Sequence, residues 1–220
     1  MVRQRGGPSR GTENAGGVVA SDLLWALLVF VVVTLFTPGP NNAMLMASGL
    51  TFGFRRGLPH LWGVALGFAV MVLAVGLGLG AMFAAYPAVY TVLKYAGAAY
   101  LLYLAWQIAT AGPIEEGGEA RGRPITFLEA AAFQWLNPKG WVMAVGAVSA
   151  YAGVAVFPVN VALMAFLFGS LGILSSATWL GFGTGLKQML ASPRAVRAVN
   201  IVMALLLVAS LWPIVADAWR

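Results

Sequence analysis

The sequence predicts an all-α integral membrane protein, and three observations lead to that class. Hydrophobic residues make up 60% of the 220 positions and charged residues only 9%. The mean hydropathy is +0.85. A soluble domain carries about 25% charged residues, so lipid must solvate most of this surface. The apolar residues also fall into six long runs, without the alternating segments of about ten residues that mark a β-barrel.

The six runs predict six membrane helices, because a membrane helix needs about 20 apolar residues and lipid requires every backbone polar group to be satisfied within the protein. They cover roughly 22–52, 58–83, 87–110, 125–151, 157–185 and 195–217. Residues 1–20 are polar, basic and rich in glycine, which predicts a flexible tail before a membrane domain at 21–220. Residues 111–124 contain glycine, proline and both charges, which is typical of a linker.

The first run is interrupted by the stretch LFTPGPNNAML at 35–45. Proline lacks an N–H and clashes with the carbonyl four residues before it. Pro38 and Pro40 should therefore free the carbonyls of Thr34 and Phe36. Freed groups cost several kcal/mol in lipid, so they are expected to face protein or a wet cavity. The break falls near the middle of its run, which places it near the membrane midplane.

The residues around these prolines are expected to leave and then restart the helix. Thr37 and Gly39 each precede a proline and are therefore pushed out of helical geometry. The restarted helix should leave the N–H groups of Asn41, Asn42 and Ala43 unpaired. Free carbonyls and free N–H groups together suit the ammonium and carboxylate of an amino acid zwitterion.

The fourth run contains a second break, LNPKG at 136–140. Pro138 should free the carbonyl of Gln134, and Gln134 shares a helix face with Asn137. A lysine near the centre of a membrane helix costs about 2.5–3.5 kcal/mol. Lys139 is therefore expected to face a cavity, where it attracts a substrate carboxylate or tunes proton coupling. The alternative is that it snorkels to the membrane interface.

The two breaks divide the chain into similar halves, at about 22–110 and 125–217. Each half has three predicted helices, and each begins with a broken one. Because three spans reverse the polarity of the chain, this pattern indicates two inverted three-helix repeats. The alternative is that the breaks are unrelated, since membrane helices tolerate glycine and proline generally.

Basic residues near the run ends predict the orientation. Seven lie on one side, namely Arg55, Arg56, Arg121, Arg123, Lys187, Arg194 and Arg197. Four lie on the other, namely Arg3, Arg5, Arg10 and Arg220. The positive-inside rule places the seven in the cytoplasm and both termini outside.

Four motifs in this order resemble the LysE/RhtB family of bacterial amino-acid exporters. They are TPGPNN at 37–42, GFRRG at 53–57, LKYAGAAYLLYLAW at 93–106 and NPK at 137–139. The resemblance implies a multi-pass protein of the bacterial cytoplasmic membrane that exports small amino acids or derivatives, driven by proton antiport. Some details look like the branch that exports cysteine and O-acetylserine, although exporters of other amino acids share much of the pattern.

The predicted substrate-binding residues combine this resemblance with the chemistry of the breaks. The resemblance supplies Pro38, Gly39, Pro40, Asn41, Asn137, Pro138 and Lys139, and the breaks add Thr37, Asn42 and Gln134. The expected partners are an amino acid substrate and membrane lipid. Glycines four residues apart, such as Gly63 and Gly67, allow close helix packing within one chain or, alternatively, a homodimer.

Other functions fit the composition less well. An integral-membrane enzyme would need a nucleophile with a base or a metal cluster, whereas the chain has one histidine and no cysteine; we expect no metal or cofactor. A channel or ion carrier remains the alternative to an exporter. No basic face with interleaved aromatic residues points to nucleic acid. His60 could titrate near neutral pH, but a polar residue at the membrane interface is the simpler interpretation.

Overall fold

The computed structural model describes residues 10–79, 85–110, 122–190 and 192–212. Within these ranges the chain is helical and contains no strand, as the sequence predicts. Eight α-helices occur in the described residues: α1 Arg10–Phe36, α2 Pro40–Phe52, α3 Phe54–Ala74, α4 Pro87–Thr110, α5 Phe127–Leu136, α6 Pro138–Ala150, α7 Val159–Met189 and α8 Pro193–Ala209.

Both predicted breaks occur, and each divides one apolar run into two helices. α1 and α2 are separated by residues 37–39 and bend by 51° relative to each other. α5 and α6 are separated by Asn137 alone. Helix α1 begins at Arg10, so it includes part of the segment assigned to the tail. Hydropathy marks where a run becomes apolar, and a helix can extend beyond that point. Most of the predicted linker at 111–124 lies outside the described residues.

Helix length and composition identify fewer membrane spans than the six predicted runs. In the described part of the chain, Phe54–Leu79 and Val159–Met189 are long and apolar enough to cross a membrane. The bent pair Ser21–Phe36 and Pro40–Phe52 makes a third if it is counted as one span. The Phe54–Leu79 span includes a π-helical turn at Val75–Leu79, which continues α3.

The centre of the fold is formed by α2, α3 and α7, which pack on one another, while α5 packs against α3. Helices α2 and α7 approach closely because each presents a glycine to the other's backbone. A Cβ atom at Gly49 would lie 2.1 Å from the Leu180 carbonyl oxygen. A Cβ atom at Gly183 would lie 2.0 Å from the Met46 carbonyl oxygen. This contact fixes the position of α2, the helix that follows the first break, relative to α7.

The predicted glycine pair on α3 also packs inside the chain. A Cβ atom at Gly63 would lie 2.3 Å from the Phe127 carbonyl oxygen, and one at Gly67 would lie 2.7 Å from Ala131 Cα. Both contacts hold α5 against α3. These glycines therefore serve helix packing within one chain, which leaves the homodimer without support from them.

Replacing Gly183 with alanine should destabilise the protein, and replacing Gly185 should not. The new methyl group at position 183 would force α2 away from α7, at a cost of about 1–3 kcal/mol. We expect a Tm about 3–10 °C lower in detergent. Gly185 has no atom within 4 Å of its ideal Cβ, so Gly185→Ala is the matched control on the same helix. Equal Tm values for the two variants would contradict this close packing.

Candidate functional site

Four helix ends meet where the two breaks face each other. They are the carboxyl ends of α1 and α5 and the amino ends of α2 and α6. Carbonyl oxygens give a helix carboxyl end a partial negative charge, and N–H groups give an amino end a partial positive charge. The meeting point therefore offers both signs of partial charge, as a dipolar substrate requires.

The end of α1 is satisfied by side chains from other elements. Asn42 donates from Nδ2 to the carbonyls of Leu35 at 3.0 Å and Thr37 at 2.9 Å. Ser175 on α7 donates from Oγ to the Leu35 carbonyl at 2.9 Å. The prediction from the prolines singled out the carbonyls of Thr34 and Phe36. The last carbonyls of a helix lack intrahelical partners; here the Val33 carbonyl accepts from the Thr37 N–H at 2.9 Å. Side-chain donors from α2 and α7 reach the carbonyls of Leu35 and Thr37.

Helix α2 begins at the second proline, Pro40, with Gly39 in an extended conformation at its amino end. The Ala43 N–H donates to the Gly39 carbonyl at 3.0 Å. The prediction that this N–H is unpaired is therefore wrong, because Gly39 already supplies the first helical acceptor. The N–H groups of Asn41 and Asn42 lie in the first turn, which lacks preceding helical carbonyls.

The second break is built by Asn137, which ends α5 and caps α6. Its Oδ1 accepts a hydrogen bond from the Lys139 backbone N–H at 3.1 Å, and Pro138 occupies the first position of α6. Proline suits that position, where its missing N–H costs nothing. Its fixed geometry starts α6 immediately, so the break is a single residue long.

The Lys139 ammonium joins the two breaks. It donates from Nζ to the Thr37 carbonyl at 2.6 Å, which places a cation at the negative end of α1. The side chain is half-buried. It runs along Gly39, where a Cβ atom would lie 2.9 Å from Lys139 Cδ. Across the described residues, no carboxylate forms an ion pair with Lys139.

An amide pair also connects the two breaks. Asn41 donates from Nδ2 to Gln134 Oε1 at 2.8 Å, and Gln134 donates from Nε2 to Asn41 Oδ1 at 3.2 Å. Gln134 is fully buried and donates in addition to the Ala130 carbonyl at 2.8 Å. The two halves of the chain are therefore in direct polar contact through residues 93 positions apart.

A small cavity of about 30 Å³ lies at this junction, which we call the central cavity. It is lined by Thr34, Leu35, Gly39, Asn41, Asn42, Val64, Ala65, Phe68, Asn137, Lys139, Gly140, Met143, Phe168, Gly172, Ser175 and Ser176. A cavity holds a water molecule once it has about 10–15 Å³ open to it. The central cavity therefore has space for one or two waters, and this conformation is closed to anything as large as an amino acid.

The predicted site residues divide into three groups. Five line the central cavity: Gly39, Asn41, Asn42, Asn137 and Lys139. Gln134 and the Thr37 carbonyl contact that group through hydrogen bonds. The prolines shape the backbone instead. Pro38 and Pro40 line a separate crevice beside α8, and Pro138 starts α6.

Sequence reasoning missed the wall of the cavity that α3, α6 and α7 provide. Phe68, Met143 and Phe168 form its apolar part, and Ser175 and Ser176 add two hydroxyl groups. The adjacent serines in an otherwise apolar run were the available signal, because buried hydroxyls in a membrane helix need a partner. The apolar residues gave no such signal, since they resemble any other core position.

Comparisons with known proteins identify the family of the chain. Residues 32–210 match the family model described as LysE type translocator. The chain is 35% identical over 192 residues to a cysteine/O-acetylserine efflux protein of Escherichia coli (strain K12), covering 84% of this chain and 94% of the relative. The relative of the same name in Shigella sonnei (strain Ss046) gives the same values. No solved structure matches the chain.

Proposed function

The chain belongs to the LysE family of translocators, and from that membership we propose that it exports a small amino acid or derivative across the bacterial cytoplasmic membrane. Its relatives are named cysteine/O-acetylserine efflux proteins. Cysteine and O-acetylserine are accordingly the proposed substrates. The proposed driving force is an inward flow of protons.

The observation that carries this proposal is the unpaired cation at the junction of the breaks. Within the described ranges Lys139 contacts a backbone carbonyl and no carboxylate. Even a half-buried charge is costly in the membrane when it has no counter-ion. A substrate carboxylate supplies the missing partner, assisted by the amino ends of α2 and α6.

The same contact suggests how the substrate ammonium binds. In the closed conformation the Lys139 ammonium donates a hydrogen bond to the Thr37 carbonyl. When the cavity opens, the substrate carboxylate draws Lys139 away, and the substrate ammonium takes its place at the carbonyls of Leu35 and Thr37. Lys139 thus holds the empty site together until a zwitterion replaces its contact. The apolar wall and two serine hydroxyls suit a short side chain with one polar group.

The architecture we propose has six spans in two inverted repeats of three. Helices that occupy the same position in the two repeats pack against each other or make matching contacts, which supports the proposal. Helix α3 packs on α7 and α4 packs on α8, while α1 contacts α7 as α5 contacts α3. Alternating access then consists of rocking one repeat against the other around the central cavity.

An export panel tests the proposed function. We expect a bacterial host expressing the chain to release more cysteine and O-acetylserine into its medium than a host with empty vector. Lys139→Met is the matched control, because it removes the cation that the substrate needs. Lysine and leucine, measured in the same medium, report on the alternative substrates. Unchanged release of every amino acid, with the protein present in the membrane, would contradict export.

A further inference from the structure

His60 lies one helical turn before Val64, a residue that lines the central cavity. The two residues are four positions apart on α3, so both share one face of that helix. The imidazole is fully buried, and its Nδ1 lies 2.8 Å from the Ser48 hydroxyl on α2. The ring of His60 is therefore not exposed at the surface of the protein, because α2, α5 and α7 pack around α3.

Ser48 opens on its other side to a larger cavity of about 370 Å³, which we call the vestibule. Its polar lining includes Ser48, Thr51, Gln107, Thr110 and Arg123. The vestibule lies at the end of the bundle where Arg123 and the α2–α3 turn are found, which the positive-inside rule assigns to the cytoplasm. The Ser48–His60 pair thus links the vestibule, which Ser48 lines, to the helix face on which Val64 lines the central cavity.

The second ring nitrogen of His60 has no partner in the part of the chain that the structure describes. Its Nε2 is buried and makes no hydrogen bond to any described residue. Leaving a buried polar atom unpaired costs free energy, and such an exception points to strain, catalysis or an unseen water. An apolar side chain at this position would carry no unpaired nitrogen. The imidazole therefore contributes something that packing does not require.

Few charged groups face the ring. Helix α2 carries no charged residue, and the acid of α5 that acts on His60 is Glu129. Glu129 is itself held by Arg123, whose Nη1 donates to it at 2.7 Å, and by the backbone N–H of Thr126.

The charged residues of the other helices packed on α3 have partners elsewhere. On α7, Lys187 donates to the Thr51 carbonyl at 3.3 Å, and on α6 Lys139 is bonded at the first break. On α3 itself Arg55 and Arg56 are exposed.

We propose that His60 binds the proton that this exporter exchanges for its substrate, an inference that rests on the proposed proton coupling. A proton from the external side reaches the neutral ring by way of water in the central cavity and binds its free nitrogen lone pair. The imidazolium then has two N–H donors. Ser48 accepts from Nδ1, and a water admitted beside the ring accepts from Nε2. When the vestibule opens, the proton leaves to cytoplasmic water and the ring becomes neutral again.

His60→Asn tests this role in proteoliposomes whose lumen is more acidic than the outside medium, so that protons leaving the lumen drive O-acetylserine into it. Asparagine retains a polar group near the Nδ1 position for Ser48, and it cannot bind a proton in this range. We expect the variant to lose accumulation of radiolabelled O-acetylserine driven by the pH gradient. It should retain exchange of labelled for unlabelled O-acetylserine at equal pH, since exchange needs no proton release.

Ser48→Ala provides a second variant that keeps the imidazole. It removes the acceptor that stabilises the imidazolium, so protonation should require a more acidic lumen. The midpoint of gradient-driven uptake should move down by about 0.5–1 pH unit, the effect of one hydrogen bond. A merely structural role for the pair would lower uptake at every pH without moving this midpoint.

The outcomes separate this proposal from the proposed function. Gradient-driven accumulation by His60→Asn at the wild-type level would overturn the role of His60 alone. Loss of exchange together with accumulation would also overturn it, because His60 would then serve folding or the pathway in general. A wild type that exchanges O-acetylserine but ignores the pH gradient would contradict proton coupling itself. A wild type that does not exchange O-acetylserine would contradict the proposed substrate.

Discussion

Lys139→Met is expected to lower export by about 10- to 100-fold, the effect of losing one charge-assisted interaction with the substrate. Methionine matches the length of the lysine stem and fills the same channel beside Gly39, so packing should be retained. The loss should appear in both exchange and gradient-driven uptake, because both require the substrate carboxylate to bind. Initial rates in proteoliposomes, normalised to the amount of folded protein, measure the effect.

The matched control for this variant is Lys187→Met. Lys187 is also a partly buried lysine whose ammonium donates to a backbone carbonyl, that of Thr51 at 3.3 Å. It lies at the basic end of the bundle and does not line the central cavity. We expect its removal to leave transport near the wild-type rate. Equal impairment of the two variants would mean that Lys139 has no special role with the substrate.

The amide pair of Asn41 and Gln134 gives the second large effect. Asn41→Leu leaves the fully buried Gln134 with an unpaired oxygen, which costs about 1–3 kcal/mol. Gln134→Leu leaves Asn41 without its partner in the same way. We expect each single variant to show a lower Tm in detergent and to export at least about tenfold less, since tenfold corresponds to about 1.4 kcal/mol.

The double variant separates stability from function. Replacing both partners by apolar groups removes the unpaired amides, so the Tm should recover towards the wild-type value. Export should stay low, because the cavity has lost the polar groups that solvate a zwitterion. If export recovered together with the Tm, the pair would serve only to hold the two halves together, and Asn41 would not belong to the site.

Local stereochemistry explains how much of the fold could be predicted. The interruptions at residues 37–39 and at Asn137 follow from prolines acting on groups within four residues, which any sequence reading can apply. The helices on either side follow from the length of the apolar runs. The start of α1 at Arg10 was missed, because the residues before 22 lack the hydropathy that marked the other helices.

The partners of the site could not be predicted in the same way. The carbonyl of Thr37 is bonded to a lysine 102 positions later, and that of Leu35 to a serine 140 positions later. Asn42, which also bonds to both carbonyls, lies only five and seven positions away from them. The lysine and the serine could not be predicted, because they depend on which side chains α6 and α7 bring to the end of α1.

The sequence by itself determined that this chain is helical and apolar, that two of its runs are broken, and where proline and asparagine break them. Tertiary structure alone decided that the two breaks meet, that Lys139 bonds to the Thr37 carbonyl, and that His60 is buried against Ser48. The physical reason is range. Backbone sterics act within one helical turn, whereas contacts between helices depend on residues far apart in the chain. Gly49 of α2 lies against the backbone of α7, and Gly183 of α7 lies against the backbone of α2.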